Sequence, residues 1–297
     1  MLSLSPVTLD SMETLRPYLA ARTFRTSDYA PGAIFQWRAY MHSQFAVVAG
    51  MLVMTLLDES GQIGYMYPVG GGNLSAALAA VEADAAARGV PLLYCAIPEE
   101  GAGVLLARYG ARAESRALRK WADYLYDLEP LITFPGKRYH TQRNHYNRFK
   151  KENPAHRFVP VTAETLPIAK GFLAGYQQVA SIDKPIEAEE MMRAQELLHD
   201  ALALGQKAGY IETQGTVVAL AIGETVGDTL YVHVEKARTD YAGAYQAIVS
   251  QFAQYAADPQ TRYINREDDS GDEGLRYSKM VYRPLRLLDK YWITIKE

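Results

Sequence analysis

Hydrophobic positions along the chain follow two periods. Short runs rich in β-branched and aromatic residues predict strands, and stretches with apolar residues every three or four positions predict helices. A helix is expected over residues 11–21. The thirteen-residue apolar run at 45–57 reads as two strands turning at Ala49-Gly50, and an extended run follows at 62–68. Asn73 is a helix N-cap for the Ala-rich segment 74–88, Gly89 is its stop, 91–97 is a buried strand, and 99–109 is helical.

The same order recurs later in the chain. Strands are expected at 209–212, 217–224 and 229–235, then a helix over 242–257, a strand over 262–266 and a short helix over 274–280. Matching Tyr65 to Tyr231 and Tyr94 to Tyr263 leaves only a few residues of loop between the two registers. The chain therefore reads as an α/β tandem repeat, because a period this long means two domain-sized units rather than a solenoid. The first module is 1–133, a basic linking helix occupies 134–157, and the second module is 158–297. Within the second, a helical region over 163–205 is interrupted around Asp183-Lys184-Pro185.

Composition adds limits rather than a function. The 297 residues are 48% hydrophobic and 22% charged, an ordinary globular balance large enough for a proper core. A net charge of −3 means that attraction to an anionic polymer or membrane must come from a local patch. The single Cys95 excludes an intrachain disulfide, no leader follows Met1, and the longest apolar run is too short for a membrane helix. A cytoplasmic protein with no integral membrane segment and no DNA partner is expected. Oligomeric state stays open.

The richest candidate chemistry is YINREDDSGDEGLRYSKMVYRPL, 263–285, where a strand runs into Glu267, Asp268, Asp269, Asp272 and Glu273. Arg276, Lys279 and Arg283 follow, with Asn265, Tyr277 and Ser278 interleaved. Carboxylates at the carboxyl end of a central strand are where α/β folds hold ligands. The alternative is a solvated loop in which neighbouring acids and bases neutralise one another.

In the preceding strand, TLYVHVE, alternation puts Tyr231, His233 and Glu235 on one face. The last two could form a proton-transfer pair, or His233 could be a satisfied histidine under a helix. At the next helix entry, Arg238 and Gly243 could attract phosphate or carboxylate, or the glycine could serve packing alone. The linking helix carries Lys137, Arg138, Arg143, Arg148, Lys150, Lys151 and Arg157 against Glu152, with Tyr139, His140, His145, Tyr146 and Phe149 among them. Such a segment can hold RNA phosphates and stack on bases, or be a solvated helix with its aromatics in the core. Spacings for a zinc site, a nucleotide-hydrolysis loop or a hydrolase elbow are missing from the sequence, and no metal is expected.

Together, FPGKRYHTQRNHYNRFKKENP, YAGAYQAI and YINREDDSGDEGLRYSKMVYRP resemble the phosphatidylglycerol lysyltransferase C-terminal domain family. The matching pattern is carried by Asn265, Glu267, Asp268, Gly271, Gly274, Leu275, Arg276 and Lys279, with one extra residue between Asp268 and Gly271. The resemblance implies a tandem repeat of the fold of GCN5-related N-acetyltransferases (GNAT) and transfer of an aminoacyl group from tRNA. By that analogy Arg143, Arg148 and their neighbours hold the tRNA acceptor end, and Arg276 and Lys279 neutralise ester and phosphate charge. Carboxylates or His233 then deprotonate the nucleophile.

Two departures bear on function. The family's membrane-spanning part has no counterpart here, and Arg238 stands five residues before Gly243 where acetyl-coenzyme A enzymes keep three. The first module sets Ala96 to Glu100 against Asn265 to Asp269 and reads as a degenerate copy. An acyl or aminoacyl transferase is expected, taking aminoacyl-tRNA or acyl-CoA as donor and an amine or hydroxyl as acceptor. The alternative is a non-catalytic binding module for tRNA or another phosphorylated ligand.

Overall fold

A computed structural model describes residues 1–179 and 185–296. Of the interruption expected around Asp183-Lys184-Pro185, Asp183 and Lys184 lie outside the described residues and Pro185 opens a helix. The first part of the chain runs β1 (Ser5–Pro6), α1 (Met12–Ala20), α2 (Pro31–Trp37), β2 (Gln44–Val48), β3 (Met51–Leu57), β4 (Ile63–Tyr65), α3 (Leu74–Arg88), β5 (Leu92–Pro98), α4 (Glu99–Tyr109) and β6 (Ala113–Ala117). The middle runs β7 (Asp123–Asp127), α5 (Leu128–Thr133), α6 (His140–Glu152), β8 (Arg157–Pro160), α7 (Leu166–Val179), α8 (Pro185–Asp200), β9 (Lys207–Thr213), β10 (Thr216–Val226) and β11 (Thr229–Ala237). The chain ends with α9 (Ala244–Ala256), β12 (Tyr263–Asn265), α10 (Glu273–Met280), β13 (Arg286–Leu288) and β14 (Lys290–Ile295).

Local chemistry explains several boundaries. The β2–β3 hairpin turns on Ala49 and Gly50, whose φ values of 52° and 74° are those a tight two-residue turn requires. Helix α3 starts where the Asn73 side chain accepts the Ala76 N–H, and stops at left-handed Gly89.

Two mixed sheets of seven strands each are present among the described residues. One compact unit comprises Met1–Asp123, Asp268–Glu273 and Leu287–Glu297, and the other Tyr124–Glu267 with Gly274–Arg286. These units do not follow continuous cuts near 133 and 158. The basic helix α6 belongs to the second, whereas β14 belongs to the first, where it lies between β5 and β6.

The first unit's sheet runs β1-β2-β3-β4-β5-β14-β6, with β4 and β5 parallel. Tyr65, Tyr94, Ile97, Ile293 and Ile295 of this sheet pack against Leu78, Val81 and Ala85 of α3 and Leu105 of α4. In the second unit the strands lie in the order β7-β12-β11-β10-β9-β8, with β11 and β12 parallel, and α9 buries Ile248 and Phe252. Among the described residues no helix is long and apolar enough to cross a membrane.

Strand pairing corrects the register of the repeat. Tyr65 lies opposite Tyr94 in the first unit, and Tyr231 opposite Asn265 in the second, so with Tyr65 on Tyr231 the partner of Tyr94 is Asn265 and not Tyr263. Left-handed backbone confirms it: Ala96 has φ 54° and Glu267, two residues beyond Asn265, has φ 58°. Ala96 therefore answers to Glu267 rather than Asn265, and Cys95 to Arg266. Cys95 is buried, and that burial pushes its thiol far above the usual range.

Candidate functional site

The second unit holds a buried group of three titratable side chains on neighbouring strands. Between β10 and β11 the register shifts at Ile222/Gly223, so that Val234 and Val232 have partners and His233 is the extra residue of a β-bulge. Bulges re-aim side chains. The His233 Nδ1 lies 2.7 Å from Glu267 Oε1 and its Nε2 3.2 Å from Glu224 Oε1. Burial alone would depress the imidazole, but hydrogen bonds to Glu224 and Glu267 and their charges outweigh it and push its pKa up to about 9. At neutral pH the ring is an imidazolium donating to both carboxylates. Of the three side chains His233 is 0% and Glu224 5% exposed, whereas Glu267 is 19% exposed and is the most accessible member.

The loop carrying Glu267 is braced on several sides. The Glu267 N–H donates to Asn265 Oδ1 at 2.7 Å, its C=O accepts from Tyr124 N, and the Lys279 Nζ donates to the Arg266 C=O at 2.6 Å. Tyr126 Oη in turn donates to the Lys279 C=O. Asn265 and Lys279 thus hold backbone. Arg266 pairs with Glu235 and lies over the Tyr282 ring, 4.8 Å from its centroid.

His233 and Glu235 are therefore not a proton-transfer pair: Glu235 is engaged by Arg266, and the carboxylates on His233 come from other segments. Glu224 and Arg266 escaped sequence reasoning. The available signal for Glu224 was its being the single charged residue in β10.

Other expected residues disperse. Tyr231 is buried in β11, Arg276 is half-buried on α10, and Tyr277 beside it is exposed. Arg238 pairs with Asp240 on the surface. Gly243 has φ 85°, and a Cβ there would lie 2.1 Å from the His145 carbonyl oxygen, so this glycine permits α6 to approach the start of α9. Arg143 donates to the carbonyls of Phe134 and Gly136, and Arg148 pairs with Glu152. Phe149 and Tyr139 are buried, Tyr146 is half-buried with the Lys150 Nζ 4.5 Å over its ring, and Lys137, Arg138, His140, His145, Arg148, Lys150 and Lys151 are exposed.

Two members of the acidic run reach bases distant in sequence. In the first unit, Asp268 lies 3.2 Å from the Lys290 Nζ and Asp269 3.0 Å from Arg119 Nη1. Lys290, only 2% exposed, also lies 2.7 Å from both Asp28 and Asp123. Burial would lower Lys290, but the three carboxylates hold it well above its ordinary value. Asp28 is pushed up to about 6, chiefly by burial, with Lys290 opposing and Asp123 and Asp268 reinforcing. No group of three His, Cys, Asp or Glu residues is placed to hold a metal among the described residues.

Residues 20–294 match the family described as phosphatidylglycerol lysyltransferase, C-terminal. The chain belongs to that family. It is similar to a conserved protein of unknown function from Bacteroides thetaiotaomicron, with 32% identity, TM-score 0.94 and 100% of both chains covered. It shares its fold with L-PGS from Bacillus licheniformis, at 15% identity and TM-score 0.67 over 96% of this chain and 92% of that one. An uncharacterized protein of Mycoplasmoides gallisepticum is 22% identical over 177 residues, 58% of this chain and 56% of that protein, so the match spans little more than half the relative's length. The fold is α/β, a tandem of two GNAT-like modules, of the kind acyl and aminoacyl transferases use.

Proposed function

We propose that the chain is an acyl or aminoacyl transferase whose chemistry sits at Glu267 in the second module, with aminoacyl-tRNA or acyl-CoA as donor and an amine or hydroxyl as acceptor. The observation that carries this reading is the buried imidazolium of His233 held between Glu224 and the partly open Glu267. In it, Glu267 takes the proton of the attacking amine or hydroxyl. The acceptor's nitrogen or oxygen bonds to the acyl carbon, and the bond to the ester oxygen or thioester sulfur of the donor breaks.

His233 is a positioning residue: charged below about pH 9, it holds the Glu267 side chain in place through the 2.7 Å contact at Nδ1. The first module, with Ala96 where Glu267 stands, supports the second. We assign the reaction to the cytoplasm.

The test is discharge of radiolabelled aminoacyl-tRNA, and in parallel of acyl-CoA, over a panel of amine, hydroxyl and lipid acceptors. Wild type should discharge one donor, and Glu267→Gln should slow it by about 100-fold or more while keeping donor affinity. Binding of aminoacyl-tRNA without discharge to any acceptor would sink the enzyme reading. The exposed cations Lys137, Arg138, Arg148, Lys150 and Lys151 favour one second reading, a tRNA-binding module without turnover.

A further inference from the structure

Away from that group, in the first unit, lies a cavity of about 330 Å³. Its floor is the sheet face opposite α3 and α4: Leu93 of β5, Thr294 and Trp292 of β14, and Arg116 of β6, with Trp121 closing one side and the β3–β4 turn (58–62) another. The volume falls at the small end of ligand pockets, about 300–1,000 Å³. Two of the chain's three tryptophans are here, their rings 6.3 Å apart and tilted by 33°. That spacing is too close to admit a ring between them, so they offer adjoining faces on which one planar group can stack.

The charges around these rings select among ligands. Lys120 already sits 4.7 Å over the Trp121 ring and pairs with Glu59, so a cation's place on that indole is taken. The Asp58 Oδ1 is occupied by the N–H groups of Ser60 and Gln62 and the Ser60 hydroxyl. Arg116 is exposed, and among the described residues no ion pair or hydrogen bond engages its guanidinium. A ligand that completes this site has a planar face for the indoles and an anion for the guanidinium, with Gln62 and Thr294 as hydrogen-bonding neighbours.

We infer that this cavity binds a nucleoside phosphate, its base stacked on Trp292 and Trp121 and its phosphate on Arg116. Free nucleotide and the unpaired end of an RNA both supply that chemistry. Stacking on aromatic faces with an arginine on the backbone is how sequence-tolerant sites hold single nucleotides. The site lies wholly within the first unit and does not depend on the transferase reading, so loss of one leaves the other standing.

The experiment is tryptophan-fluorescence titration of the full chain with adenosine 5′-monophosphate, adenosine, glucose and an unstructured RNA hexamer. The monophosphate should quench saturably. Arg116→Ala should weaken it about tenfold and leave adenosine unchanged, and Trp121→Ala should weaken both by about tenfold. Saturation by the hexamer, lost in the same variants, would assign the source to RNA, and response to the monophosphate alone would assign it to free nucleotide. The inference is overturned if neither phosphate ligand gives saturation by about 10 mM. Equal binding of glucose, or variants that bind as wild type, would overturn it as well. Arg116 is exposed, so its variant tests the idea even if Trp121→Ala does not fold.

Discussion

Replacing Glu224 by Gln removes one of two carboxylates that keep His233 charged, and its effect can be worked from the geometry. A hydrogen bond to a charged group contributes about 1.5–3 kcal/mol, and one pKa unit corresponds to about 1.4 kcal/mol. Each carboxylate therefore holds the imidazole up by roughly 1–2 units. From about 9 in the wild type, His233 should fall to roughly 7–8 in Glu224→Gln or in Glu267→Gln. In the double variant burial should win, and the ring should titrate at or below its ordinary value of about 6.5. The assay is a titration of histidine ring resonances by NMR, with the His233 signal assigned through its loss in His233→Gln.

The same shift fixes the sign of a stability effect. Because the folded pKa lies above the unfolded one, the protonated ring stabilises the fold fully below about pH 6.5, and that contribution is lost as pH rises through about 9. Its full size is on the order of 3 kcal/mol for a side chain with no exposure. In urea unfolding at pH 6 and pH 9.5, wild type should lose more stability than His233→Gln by an amount of that order. The reasoning is refuted if the wild-type ring titrates near 6.5, or if Glu224→Gln leaves it unmoved.

Three further outcomes follow from packing and charge. Lys290→Met leaves Asp28, Asp123 and Asp268 without their shared ammonium, and urea unfolding at neutral pH should show a loss of about 3–5 kcal/mol. Acidification toward pH 5 should recover part of that loss as Asp28 takes up a proton. Gly243→Ala forces a Cβ against the His145 carbonyl at a left-handed position, and its melting temperature should fall by an amount corresponding to at least about 1–3 kcal/mol. Replacing Arg148, Lys150 and Lys151 together by Ala should change stability by less than about 1 kcal/mol, because their side chains are solvated. Any tRNA affinity measured by anisotropy should drop and lose part of its salt dependence in the same variant.

The order of most elements was legible in the sequence because their signals are local. Asn73 and Gly89 bracket α3, and Ala49-Gly50 turns a hairpin whose strands are apolar on either side. The runs that form β7 and β14 carry a recognisable strand composition, DYLYD and KYWITI, yet nothing in either says that β14 pairs with β5 or β7 with β12. Partner choice between strands so far apart in sequence is a tertiary property. The site was half legible for the same reason. His233, Asn265 and Glu267 lie in one polar stretch or on one strand, but Glu224 is brought to His233 by hairpin pairing and a bulge that alternation does not encode. The charge run was legible only in part: Asp268 reaches Lys290 and Asp269 reaches Arg119, partners distant in sequence that the run itself does not point to.

The left-handed backbone at Glu267 invites a functional explanation, since strained residues gather at active sites. Comparison within the chain argues otherwise. Ala96 holds the same conformation at the equivalent place, with no side chain able to do chemistry. In the first unit Cys95 and Ala96 form a bulge opposite the single residue Trp292. In the second, Arg266 donates to the Tyr124 carbonyl and Glu267 accepts from the Tyr124 N–H. The kink therefore belongs to the way each module's β5-type strand meets its antiparallel neighbour, and its strain is a cost of the sheet. What distinguishes the second module is the pair of side chains set around the kink. Glu267 stands where the first has Ala96, and Glu224, opposite Tyr231, stands where the first has Thr55, opposite Tyr65. A Glu267→Ala variant should consequently keep the bulge and fold while losing its hold on His233, which separates the architecture of this strand from its chemistry.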